Sequence, residues 1–110
     1  MQRIRENTEL SLGSAISPEN FLEKNPEYNP TWVAKLRMSG KEVSDLTKEL
    51  GKKNSYSLEI RGGLHEHVAW WQPKQASTKY QYMTSFNAPV LLLISEGKEN
   101  SDVYIEWSSP

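Results

Sequence analysis

The chain has 110 residues, no cysteine, and 13 Lys and Arg against 14 Asp and Glu, for a net charge of −1. That length suits one small domain that buries its own core without a disulfide or metal staple. The missing thiol excludes disulfide frameworks, thiol nucleophiles, cysteine-based zinc sites and iron–sulfur clusters. The balanced charge argues against nucleic acid as a partner, since such binding draws on clustered cations.

The opening residues MQRIRENTELSLGS carry two arginines but no apolar stretch of the kind a signal peptide needs. Ile4, Leu10, Leu12 and Ile16 are scattered among polar residues. Residues 1–16 are therefore read as a partly ordered N-terminal arm, with a short edge strand over TELSL as the alternative, and residues 17–110 as the domain. SPENFLEK looks like a helix start: Ser17 as cap, Pro18 in the first helical position, Glu19 at the positive end of the dipole. Phe21 and Leu22 would face the core, and Pro26 would stop the helix at Asn25. NPEYNP repeats an Asn-Pro step, which is turn chemistry.

TWVAKLRM alternates, with Trp32, Ala34, Leu36 and Met38 on one side, as a half-buried strand does. Ser39 with Glu42 three residues on forms a capping box for a helix over 40–51. Val43, Leu46 and Leu50 supply its apolar stripe, Lys41, Glu42, Asp45, Lys48 and Glu49 its solvated face, and Gly51 a left-handed cap. YSLEI (56–60) alternates as a strand, and a long polar connection follows over 64–79. KYQYMTSF reads as a strand with Tyr80 and Tyr82 in phase, and Asn87-Ala88-Pro89 as a turn. VLLLI (90–94) reads as a central strand buried on both faces. DVYIEW (102–107) sets Val103, Ile105 and Trp107 against Tyr104 and Glu106, and pairs with VLLLI as an antiparallel hairpin. PVLLLI, the longest apolar run, is far short of the ~20 residues a membrane span needs, so a soluble protein is expected. The order predicts an α+β domain: a mostly antiparallel sheet of about four to five strands, backed by one main helix, plus a short N-terminal helix.

One stretch stands apart. GLHEHVAWWQP (63–73) holds both histidines of the chain, Glu66 between them, and two of the four tryptophans. In an extended segment His65 and His67 would point to the same side and begin a metal site, but a third ligand is not evident. A histidine with Glu66, Glu59 or Asp102 would make a base–orienter pair. No G-x-S-x-G elbow, cysteine nucleophile or phosphate loop accompanies it. An exposed Trp is a frequent interface anchor, whereas the structural alternative is that Trp70 and Trp71 close the open side of the sheet, pinned by Pro73.

The leading expectation is a non-enzymatic binding module, of inhibitor, immunity or adaptor type, without a cofactor. It would engage a protein partner through the 63–79 loop. Trp70 and Trp71 would be its anchors, and His65, Glu66, His67 and Lys74 its polar rim. The alternatives are a metal-binding protein or metal-dependent enzyme centred on His65 and His67, and carbohydrate binding through exposed Trp and Tyr. A free sheet edge would allow self-pairing.

Overall fold

A computed structural model gives the architecture and describes residues 1–25, 27–53 and 63–110. In chain order it comprises α1 (Gln2–Thr8), β1 (Pro18–Lys24), β2 (Thr31–Ser39), α2 (Gly40–Leu50), a 3-10 turn (Leu64–His67), β3 (Thr78–Met83), β4 (Pro89–Ser95) and β5 (Asn100–Ser108). The five strands form one sheet in the order β1-β2-β5-β4-β3, every neighbouring pair antiparallel. The α+β class, the antiparallel sheet and the meander of the last three strands agree with the sequence reading. YSLEI lies outside the described residues.

The first 24 residues differ from expectation. The short N-terminal helix exists, but Gln2–Thr8 forms it and not SPENFLEK. Ile4 and Thr8, one turn apart, are both buried. The Thr8 hydroxyl donates back to the Ile4 carbonyl (2.6 Å), Tyr82 Oη donates to the Thr8 carbonyl (2.7 Å), and Trp32 Nε1 donates to Asn7 Oδ1 (2.9 Å). These bonds seat α1 on the sheet, and Leu10, Leu12 and Ile16 carry the buried stripe onward. Segment 1–16 thus contributes to the core.

SPENFLEK is a strand because β2 offers it a partner. A helix of that length spends most of its bonds on nucleation, while an antiparallel ladder satisfies the backbone along its whole length. Asn25, at φ 54°, begins the turn between the two strands. Phe21 packs on Trp32 with ring centroids 5.6 Å apart, yet Phe21 and Leu22 stay 42% and 37% exposed, not in the core. A register shift at Pro18, with Glu19, Glu23 and Lys24 along the strand, guards this edge against pairing with another chain.

The capping box of α2 forms as its spacing predicts. Glu42 N donates to Ser39 Oγ (3.3 Å) and Ser39 N to Glu42 Oε1 (2.8 Å). Gly51 does not make the expected left-handed cap. Its φ is −62°, and the turns continue through Gly51 N to Thr47 O, Lys52 N to Glu49 O and Lys53 N to Leu50 O.

Register makes the two faces of the sheet explicit. The inner face carries rows such as Trp32, Trp107, Val90, Tyr82 and Ala34, Ile105, Leu92, Tyr80. These pack with Val43, Leu46 and Leu50 of α2 and with the 1–16 segment to form the core. The outer face carries Val33, Glu106, Leu91, Gln81 in one row and Lys35, Tyr104, Leu93, Lys79 in the next. Val33, Glu106, Leu91 and Tyr104 are buried as well, so the outer face is covered too.

Candidate functional site

The cover is the stretch singled out from sequence. Residues 63–77 cross the outer face as a strap before the chain enters β3. It starts over the Glu106 row, where His65 N donates to Glu106 Oε1 (2.7 Å). It passes Tyr104, whose hydroxyl donates to the Gln72 carbonyl (3.2 Å). It ends on β4, where Lys74 N donates to Ser95 Oγ (2.9 Å). A polar segment can cover a sheet only if its backbone groups find partners. Here Glu106, Tyr104 and Ser95, one per row, supply them.

Glu106 is the least expected residue of this layer. It lies between Val33 and Leu91 in the centre of the sheet and is only 3% exposed. A carboxylate in such surroundings is costly unless paired and hydrogen-bonded. The His65 amide supplies a hydrogen bond to Oε1, and its Nδ1 comes within 3.2 Å of Oε2, off the line of a hydrogen bond. Gly63 completes the fit. A Cβ there would sit 2.5 Å from Glu106 Oε2 and 2.7 Å from His65 Nδ1, so the close approach demands glycine for space, not for backbone angle.

His65 and His67 do not form a metal pair. The segment is a 3-10 turn and not extended, and at three residues per turn positions two apart diverge. His65 turns in to Glu106, while His67 is exposed. Among the described residues no group of three or more His, Asp or Glu side chains is placed to hold a metal ion. His65 Nδ1 lies 3.2 Å from Glu106 Oε2 without a hydrogen bond between them, so this pair does not reproduce the base–orienter geometry sought from sequence. Asp102 lies instead 3.8 Å from Arg37 Nε, and Arg37 also meets Glu19 at 3.1 Å. Glu59 lies outside the described residues. Sequence reasoning missed Glu106 because strand alternation assigned it to the solvent side. An acidic residue flanked by Ile105 and Trp107 is consistent with either side until the cover is known.

The two tryptophans take different places. Trp71 packs on the His65 ring (5.0 Å) and edge-on to Tyr104 (5.3 Å). It is the apolar filling between strap and sheet. Trp70 stands at the third position of a turn closed by Trp71 N to Val68 O (3.1 Å) and is half-buried. Glu66 and His67 are exposed on the turn before it. Lys74 is tied into the fold by its amide and by Nζ to the Glu96 carbonyl (2.8 Å).

On the other side of the molecule a cleft of about 240 Å³ lies between segment 11–16 and α2, floored by Leu12, Ile16 and Leu46. Two of the carboxylates at its mouth are already engaged, Glu42 in the capping box and Glu49 with the Ser11 amide. Among the described residues no helix is long and apolar enough to cross a membrane. No protein family, curated protein or solved structure matches the chain.

Proposed function

We propose that this chain is a binding module that engages a protein partner through the outer side of the 63–77 strap, with Trp70 as its anchor. The observation that carries the reading is the division of labour between the adjacent tryptophans. Both are half-buried; Trp71 packs against the His65 ring and Tyr104, while Trp70 stands on a turn that follows exposed Glu66 and His67. Bonds to Glu106, Tyr104 and Ser95 hold that turn in place before any partner arrives. A contact surface fixed in advance loses less entropy on association. A large aromatic ringed by polar groups is the composition of an interface hot spot.

This reading revises the anchor pair expected from sequence: Trp70 binds, and Trp71 holds the platform. The test is capture of partners by wild type, Trp70→Ala and Trp71→Ala, alongside thermal unfolding of each. Loss of a captured protein in Trp70→Ala at unchanged melting temperature supports the reading. Undiminished capture by Trp70→Ala contradicts it.

A further inference from the structure

The cleft between segment 11–16 and α2 has an uneven lining. Its floor is Leu12, Ile16 and Leu46, all buried members of the core. Its mouth carries Glu42, Asp45 and Glu49, which follow one another at three and four residues and so line one side of α2. Asp45 is exposed, and Glu42 and Glu49 are half-buried. Among the described residues, no aromatic or cationic side chain lines the cleft. Its volume of about 240 Å³ has room for roughly eight waters at their liquid volume, and so for an aliphatic chain of about six carbons with its head group.

The three carboxylates are not neutralised in place. Glu42 accepts Ser39 N (2.8 Å), and Glu49 accepts Ser11 N through both oxygens (2.9 and 3.0 Å). Those donors are neutral, so both carboxylates keep their charge and part of their accepting capacity. The positive end of α2 offsets part of the charge of Glu42 in its first turn, whereas the negative end adds to that of Glu49 in its last. Five cations lie near by in the chain. Arg5 spends its guanidinium on the Leu12 and Gly13 carbonyls (2.7 and 3.0 Å), and Lys53 its ammonium on the Glu9 carbonyl (3.0 Å). Lys41 and Lys48 of α2, and Lys52 just beyond it, are exposed and form no ion pair with the three carboxylates.

We infer that this cleft binds a primary alkylammonium, its short aliphatic tail on Leu12, Ile16 and Leu46 and its ammonium at the mouth between Asp45 and the neighbouring carboxylates. The inference does not rest on the strap. With charge at the mouth and apolar groups at the floor, the ligand enters tail first. A lysine side chain of another protein would enter head first and strand its charge on the apolar floor, which is costly. An ammonium also suits carboxylates presented from successive turns, because its donors rotate freely, whereas a guanidinium favours one coplanar carboxylate. An anionic amphiphile is repelled at the mouth.

The experiment titrates the full chain with hexylammonium, methylammonium, hexanol and Nα-acetyllysine amide, and follows the methyl resonances of Leu12, Ile16 and Leu46 by NMR. Hexylammonium is expected to shift those methyls saturably. It should bind more tightly than methylammonium, which lacks the tail, by about tenfold or more. It should bind more tightly than hexanol, which lacks the charge, by about threefold. Asp45→Asn, on an exposed and unbonded side chain, is expected to weaken hexylammonium about two- to fivefold at low salt. Gly13→Leu is expected to abolish the shifts, because a Cβ there meets only Ile16 Cδ1, at 4.0 Å, and the added side chain occupies the cleft without backbone strain. Shifts that do not saturate overturn the inference. So does methylammonium, hexanol or the lysine amide binding as tightly as hexylammonium, or an affinity unchanged in Asp45→Asn.

Discussion

Glu106 and Gly63 decide whether the outer layer closes. The carboxylate is buried between aliphatic neighbours and accepts the strap's first bond, and the glycine lets the chain pass against it. Gly63→Ala is expected to cost about 1–3 kcal/mol, as overpacking does, because backbone and a buried carboxylate must move together. Urea unfolding of the variant measures it. On the inner face the stacked pair Trp32 and Trp107, centroids 6.1 Å apart, offers a contrast. Trp32 Nε1 bonds Asn7, whereas Trp107 Nε1 is buried with no hydrogen-bond partner among the described residues. Phe in place of each removes similar ring area, so Trp32→Phe should be the more destabilising by about 1 kcal/mol, the net worth of one hydrogen bond to the half-buried Asn7. Glu9 supplies a pH signature. The Ser85 hydroxyl and then its amide hold the Glu9 carboxyl below its ordinary value of 4.5, with Lys53 adding to the effect and partial burial opposing it. A depressed folded-state value means that this pairing stabilises above the ordinary value and is lost as pH falls through the lowered one. Glu9→Gln should therefore lower the melting temperature near neutral pH, and the difference from wild type should shrink and disappear as pH falls through the lowered Glu9 value.

Elements differed in how openly the sequence declared them. Helix α2 was legible to its first residue because capping is local chemistry: Ser39 and Glu42 carry the whole signal. Ser39→Ala should cost about 0.5–2 kcal/mol, seen as a lower unfolding midpoint with an unchanged urea slope. Strands β2, β4 and β5 were legible because burial imposes a two-residue period or a continuous apolar run. SPENFLEK was misread because its cap signals are also local, while the partner that makes it a strand lies across a turn in β2. The helix over Gln2–Thr8 was missed for the converse reason: it has no side-chain cap and its buried face is only Ile4 and Thr8, too narrow to show a period. In the strap, the aromatic content drew attention to the segment that covers the outer face. The inward turn of His65 was not readable, because it depends on a 3-10 geometry and on Glu106, some 40 positions away.

At the scale of the whole molecule the sheet is covered on both faces by different means. Helices and the 1–16 segment seal the inner face with apolar side chains, and the strap seals the outer face largely through backbone bonds to Glu106, Tyr104 and Ser95. Apolar burial is strong and non-directional, whereas a strap held largely by hydrogen bonds depends on the few residues that supply them. In the proposed reading the two adjacent tryptophans have opposite duties, Trp71 packing the strap on the sheet and Trp70 meeting the partner. The most direct test compares Trp70→Ala and Trp71→Ala for thermal unfolding and for partner capture in parallel. Trp71→Ala should unfold at a clearly lower temperature, and Trp70→Ala should unfold with wild type while losing the captured protein. A Trp70→Ala variant that captures the same protein as wild type, or a Trp71→Ala variant with unchanged stability, would contradict that division.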